Sequence, residues 1–309
     1  MALVHLHIGT HKTGTSSLQR MMVGLRPMLR DRGVLYPESG IRAKTDGHAH
    51  LPAIIAGTTE LYLREHKVKR APYWEMLEQE IKDARAERVI LSSESFDRLT
   101  GPQVARVAES LKGHDVRVVV YLRNQLDYMI SYYKFLLEFQ YPYSFTRCLQ
   151  DYGDRCDFAA LLDRWTSAFG SDAVQFRLFD RVKRQPGLAR DFLQIVGISE
   201  LVPSDNPSLK ILKNLSPSDP ASRMLRSLNV LESWLRKCGL RKVAWWRLRR
   251  ALFRDQSLVH TFCRCTAPVL TPPLVREADV AALRERTGAY NERFFPLLES
   301  SEDEALFAF

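Results

Sequence analysis

The stretch that most limits the fold is the first two dozen residues. A mostly apolar run, Leu3 to Ile8, leads into Gly9-Thr10-His11-Lys12-Thr13-Gly14-Thr15-Ser16-Ser17 and then into Leu18-Gln19-Arg20-Met21-Met22. The run is short enough for one buried strand, and Leu18, Met21, Met22, Leu25 and Leu29 recur at the spacing of a helix face. Strand, turn of Gly and Thr, helix is an order that aims backbone N–H groups and the positive end of a helix at an anion. Lys12 adds a point charge inside the turn, able to sit between two anionic groups. The plainer alternative is a turn that only joins strand to helix.

The alternation continues. Arg88–Ser92, Val116–Leu122 and Ala173–Phe179 read as further strands, and Val34–Pro37 as a short extended piece. Helical spacing marks residues 15–31, His48 to about Glu65, Tyr73–Arg85, Pro102–Lys112, Gln125–Phe139, Phe158–Phe169, Leu188–Val196 and Glu277 to about Leu298. Near-continuous apolar strands between helices predict an α/β chain with a parallel sheet covered on both faces. The expected organisation is a single domain over 1–309: an α/β core over 1–203 and a mainly helical elaboration over 204–309. In such sheets ligands bind at the carboxyl ends of the strands, and Lys12, Glu94 and Arg123 all fall at such ends.

A Walker A loop is G-x4-G-K-[ST]. Gly9 and Gly14 keep that spacing, but Thr15 follows Gly14 and the lysine stands upstream at position 12. No strand ends in the Asp that holds Mg²⁺ in a nucleotide hydrolase; the Val116–Leu122 strand ends in Arg123. The sheet is therefore P-loop-like, with a phosphate cradle and no apparatus for a metal nucleotide, and no metal is expected. Ser131 lies eight residues after Arg123, two turns into the next helix. Arg and hydroxyl together suit a second phosphate, although an Arg at a strand end is also an ordinary ion-pair partner.

These residues carry a resemblance. His7 to Gln19 resembles the 5′-phosphosulfate loop of the sulfotransferases, and Val119-Val120-Tyr121-Leu122-Arg123-Asn124-Gln125 with Ser131 resembles their 3′-phosphate strand and helix. Leu162-Asp163-Arg164-Trp165, Phe169-Gly170 and Val174-Gln175-Phe176-Arg177 also resemble a stretch of the bacterial members, so the similarity spans roughly residues 3 to 212. The resemblance implies 3′-phosphoadenosine 5′-phosphosulfate (PAPS) as sulfuryl donor and no metal. It implies that Lys12, Thr13, Gly14, Thr15, Ser16 and Ser17 cradle the 5′-phosphosulfate, while Arg123 and Ser131 hold the 3′-phosphate; His11, inside the same loop, is placed to touch sulfate oxygens as well.

An acceptor hydroxyl must lose its proton as it attacks, which calls for a carboxylate or imidazole at the mouth of the sheet. Glu94, just past the Arg88–Ser92 strand, is the first choice; as a helix N-terminal carboxylate it would instead serve nearby N–H groups. His48 and His50 are its rivals. Standing two residues apart they cannot share a helix face, so at most one points into the site.

Charge and cysteines bound the rest. The net charge is +9, and the eight basic residues between Arg236 and Arg254, with no acid among them, account for nearly all of it. With its tryptophans, 234–254 reads as a basic amphipathic helix suited to a membrane interface or an anionic polymer, or as a helix that packs its stripe and solvates its charges. No nucleic-acid recognition module accompanies it, so nucleic acid is not an expected partner. Five scattered cysteines lack zinc spacing and suit free thiols in a reducing compartment. No run approaches the roughly 18 apolar residues of a membrane span, and the N-terminus lacks a cationic leader. A cytoplasmic protein is expected, at most touching the inner face of the membrane. The acceptor expected is a carbohydrate or lipid-linked hydroxyl. The rival readings are a P-loop nucleotide kinase or hydrolase, and a non-catalytic membrane-surface binding protein.

Overall fold

The computed structural model describes residues 1–42, 45–57, 71–184, 187–210, 217–238, 271–298 and 300–307. Among these, five strands form one sheet: β1 (Leu3–Gly9), β2 (Val34–Leu35), β3 (Arg88–Ser92), β4 (Asp115–Leu122) and β5 (Val174–Leu178). Every pairing is parallel and the order across the sheet is β2-β3-β1-β4-β5. The fold is the α/β arrangement expected from the alternating pattern.

Register assigns the faces. His5 and His7 of β1 stand level with Ile90 and Ser92 of β3 and with Arg117 and Val119 of β4. On this face the helices Thr15–Arg30 and Leu188–Ile195 bury Leu18, Met22, Leu25, Phe192 and Leu193 against Ile90, Val119 and Tyr121. Leu6, Ile8, Leu91, Val118 and Val120 point the other way and are equally buried. The helices Gly101–Ser110 and Phe158–Phe169 pack against each other, and the second of them also packs on β4 and β5. Both faces being covered is why the strands read as apolar runs rather than as alternation.

The chain forms two compact units, Met1–Arg123 with Phe158–Asn214, and Asn124–Asp157 with Leu215–Phe309. The sheet belongs to the first. The second is helical, with Gln125–Glu138, Phe145–Tyr152, Asp219–Lys237 and Glu277–Phe294 gathered around Tyr128, Tyr133, Phe145, Leu225 and Leu283. Buried Asn229 donates to the carbonyls of Leu137 and Tyr141 at 2.9 and 3.0 Å, serving acceptors at the end of Gln125–Glu138. Two of these helices, Phe145–Tyr152 and Asp219–Lys237, are not among those expected from the sequence. Both carry a start signal all the same: Ser144 and Ser218 cap them by accepting from Arg147 and Ala221 N–H, and Pro220 stands in the first turn of the second.

The helix expected from His48 to Glu65 is present as His50–Ala56, and 58–70 lie outside the described residues. Of the basic run 234–254, Trp234 to Lys237 close the helix Asp219–Lys237, with Trp234 exposed, and 239–254 lie outside the described residues. No helix among the described residues is long and apolar enough to cross a membrane.

The strand order creates one special place. From β1 the chain proceeds to β2 and β3 on one side of the sheet, whereas from β4 it returns to β5 on the other. The carboxyl ends of β1 and β4, neighbours in the sheet, are thus where the direction of winding reverses, the crevice in which open α/β sheets hold ligands.

Candidate active site

The loop after β1 occupies that crevice. Gly9, Lys12 and Gly14 all have positive φ, 81°, 68° and 78°. Glycine takes this conformation at little cost, but for Lys12 it is strained by about 1–3 kcal/mol, an expense typical of ligand clamps. The loop's threonines turn inward. Thr10 Oγ1 donates to the carbonyl of Tyr121 at 2.9 Å, pinning the loop to β4. Thr13 Oγ1 donates to the Thr10 carbonyl at 2.7 Å, and Thr15 Oγ1 reaches the same oxygen at 3.4 Å. The hydroxyls therefore shape the loop from within. Gly14 caps the helix Thr15–Arg30 without a side chain, and the first turn holds no acid, so its positive end is not neutralised locally. Ser16 and Ser17, half-buried, open that helix.

Arg123, far away in sequence, is brought to the same loop. Its Nη1 donates to the Lys12 carbonyl at 3.2 Å, its Nε lies 4.0 Å from Asp180 Oδ1, and its guanidinium stands 5.6 Å from the centre of the Phe179 ring. The guanidinium is thus held against the backbone of Lys12, at the ends of adjacent strands. Ser131 sits buried on the helix Gln125–Glu138 of the second unit.

Glu94 opens a short 3₁₀ turn, Glu94–Arg98, just past β3. It is half-buried. A Cβ on Gly9 would lie 2.6 Å from its Cα and 2.9 Å from its Cβ, so the first loop glycine is required by close approach as well as by its φ. Gln19 Nε2 donates to Glu94 Oε2 at 3.2 Å.

The histidines separate by partner. His48 is fully buried. Its Nδ1 accepts from Ser92 N–H at 3.1 Å, which leaves the proton on Nε2, donated to the Pro37 carbonyl at 3.1 Å. Both nitrogens are spent on backbone, clipping the end of β3 to the segment after β2. His50 stacks on Tyr73 at 4.9 Å, and burial with nearby Arg42 lowers its pKa. His11 lies with Nδ1 3.1 Å from Asp97 Oδ2 and accepts from Arg98 at Nε2, 2.8 Å. It joins the loop to the Glu94–Arg98 turn.

Burial disfavours the charged rings of His5, His7 and His48, lowering their pKa values from 6.5 to about 4, about 3 and about 4. An unfolded chain takes up these protons as pH falls past 6.5 while the folded chain does not, so stability is full above that pH and declines toward pH 4. The limiting slope is about 1.4 kcal/mol per pH unit for each ring. Urea midpoints at pH 7.5 and pH 5 should show it: a marked loss at the lower pH with an unchanged m-value, and a smaller loss in His48→Phe.

Ser92 and Asp97 are neighbours of the site that the motifs do not reveal, and His7 and Gln19 stand at the two ends of the loop motif without a role assigned to them there. Gln19 leaves one trace in the sequence, a polar residue inside the apolar stripe of its helix. Among the described residues no group of three or more His, Cys, Asp or Glu is gathered as a metal site.

No family model matches this sequence, and no curated protein matches it. Among solved structures, a sulfotransferase from Alicyclobacillus acidocaldarius is similar at 18% identity, over 79% of this chain and 98% of that one, with a TM-score of 0.36. It is a distant likeness.

Proposed function

We propose that this chain is a metal-independent sulfotransferase that moves the sulfuryl group of PAPS to an acceptor hydroxyl. One observation carries the reading: where the winding of the sheet reverses, Lys12 is held in a left-handed conformation, Arg123 bonds its carbonyl, and Glu94 packs against Gly9. An anion cradle, a second cation and a carboxylate so converge on one crevice. The donor, when bound, supplies an activated sulfuryl group and a leaving phosphate. The residues fit it, since the loop amides, the helix end and Lys12 suit the 5′-phosphosulfate and Arg123 the 3′-phosphate.

Sulfuryl transfer, like phosphoryl transfer, puts charge on the bridging oxygen of the leaving group. Lys12 and the loop N–H groups, fixed before reaction, stabilise that charge more than the ground state. Glu94 takes the acceptor's proton; His48 is committed to Pro37 and Ser92. The basic run 234–254 is assigned to an acidic or lipid-linked carbohydrate acceptor, at the inner face of the membrane.

The test combines binding and transfer. Calorimetry should give tight binding of 3′-phosphoadenosine 5′-phosphate without Mg²⁺, and sulfur-35-labelled PAPS should label a fraction of host extract. Arg123→Met should weaken that nucleotide about 10–100-fold, as expected for one charge-assisted contact, and adenosine 5′-phosphate less than about threefold. Mg²⁺-dependent turnover of ATP would establish the kinase or hydrolase reading instead. Nucleotide binding with no labelled fraction would leave a non-catalytic protein.

A further inference from the structure

Gln19 is the fifth residue of the helix that begins at the phosphate loop, and it is only 1% exposed. A primary amide in an apolar stripe is costly unless its groups are used. Its Nε2 lies 3.2 Å from Glu94 Oε2, 3.3 Å from Ser92 Oγ and 3.4 Å from the Ser92 carbonyl. Its Oε1 is buried with no partner among the described residues. The reverse amide orientation would set that oxygen against a carboxylate, so the chemistry of Glu94 fixes the assignment.

The slot is made to measure. A Cβ on Gly47 would stand 2.4 Å from Gln19 Nε2 and 2.5 Å from its Cδ. Ser92, on the other side, is anchored by His7 Nδ1 at 2.8 Å from its Oγ and by its own N–H to His48. The buried histidines thus support the group that supports the amide.

We infer that Gln19 is a positioning residue for Glu94. It ties the helix carrying the donor cradle to the carboxylate that takes the acceptor's proton, so that binding the donor and orienting the base depend on one rigid piece. This rests on the sulfuryl-transfer reading of Glu94.

The experiment is a double-mutant cycle in the full chain. Gln19→Met keeps the volume and removes the donor; it should lower kcat about 10–100-fold and leave the PAPS KM within about threefold. Gly47→Ala displaces the amide without deleting it and should give a smaller loss of the same kind. In a Glu94→Gln background, Gln19→Met should cost less than about threefold further. Equal losses in both backgrounds, or an unchanged kcat in Gln19→Met, would overturn the proposal. A readout free of turnover separates it from the function reading: the Gln19 side-chain amide resonances, assigned by their loss in Gln19→Met, should move in Glu94→Gln. If wild type transfers no sulfuryl group but those resonances move, the function reading fails and the tie stands. If they do not move, the tie is wrong whatever the activity.

Discussion

On the proposed sulfuryl-transfer reading, replacing Lys12 with alanine should lower kcat by about 10²–10³-fold, the usual cost of losing one preorganised charge at a developing anion. Because Lys12 has φ 68°, alanine there leaves the backbone strain in place, and a local change of loop shape would confuse the result. Lys12→Gly removes the ammonium while relieving the strain. The loss should therefore be as large with glycine as with alanine, while the glycine variant unfolds no more easily than wild type. A glycine variant that restored the rate would mean that loop shape, not charge, had been lost. The measurement is kcat with saturating PAPS, accompanied by thermal unfolding of both variants.

The second large effect is at Glu94. Glu94→Gln keeps the size of the side chain and removes the proposed proton acceptor; kcat should fall by about 10²–10⁴-fold, while affinity for 3′-phosphoadenosine 5′-phosphate stays within about threefold. His48→Phe provides the contrast: it is a loss of folding stability, seen in the urea midpoint. If Glu94→Gln were nearly silent and a histidine variant that stays folded were inactive, the roles assigned to carboxylate and imidazole would have to be exchanged.

Much of the first unit is written locally. Parallel strands covered on both faces read as largely apolar, as β3 and β4 do, with β1 adding His5 and His7 on one buried face, and the glycines with Lys12 mark the loop between strand and helix. What cannot be read locally is which strand lies beside which: β3 reaches β1, its partner at the site, after the chain has already laid down β2. The choice between Glu94 and His48 is hidden for the same reason. Both stand near a turn in the sequence, and only the Pro37 carbonyl and the Ser92 N–H, supplied by separate segments, commit the imidazole to a structural task. Gln19 and the helix Asp219–Lys237 are different. Each leaves a local sign, a polar residue in an apolar stripe and a Ser-Asp-Pro start.

The contact between Gly9 and Glu94 has a consequence for how such a chain can diversify. The backbone of one strand end is pressed on that of its neighbour, which sets the Cα and Cβ of Glu94 against the loop. On the proposed reading, a change of acceptor would be made by reshaping surfaces elsewhere, and a variant library aimed at new acceptors would spare Gly9, Gln19, Gly47 and Glu94 and vary the chain outside them.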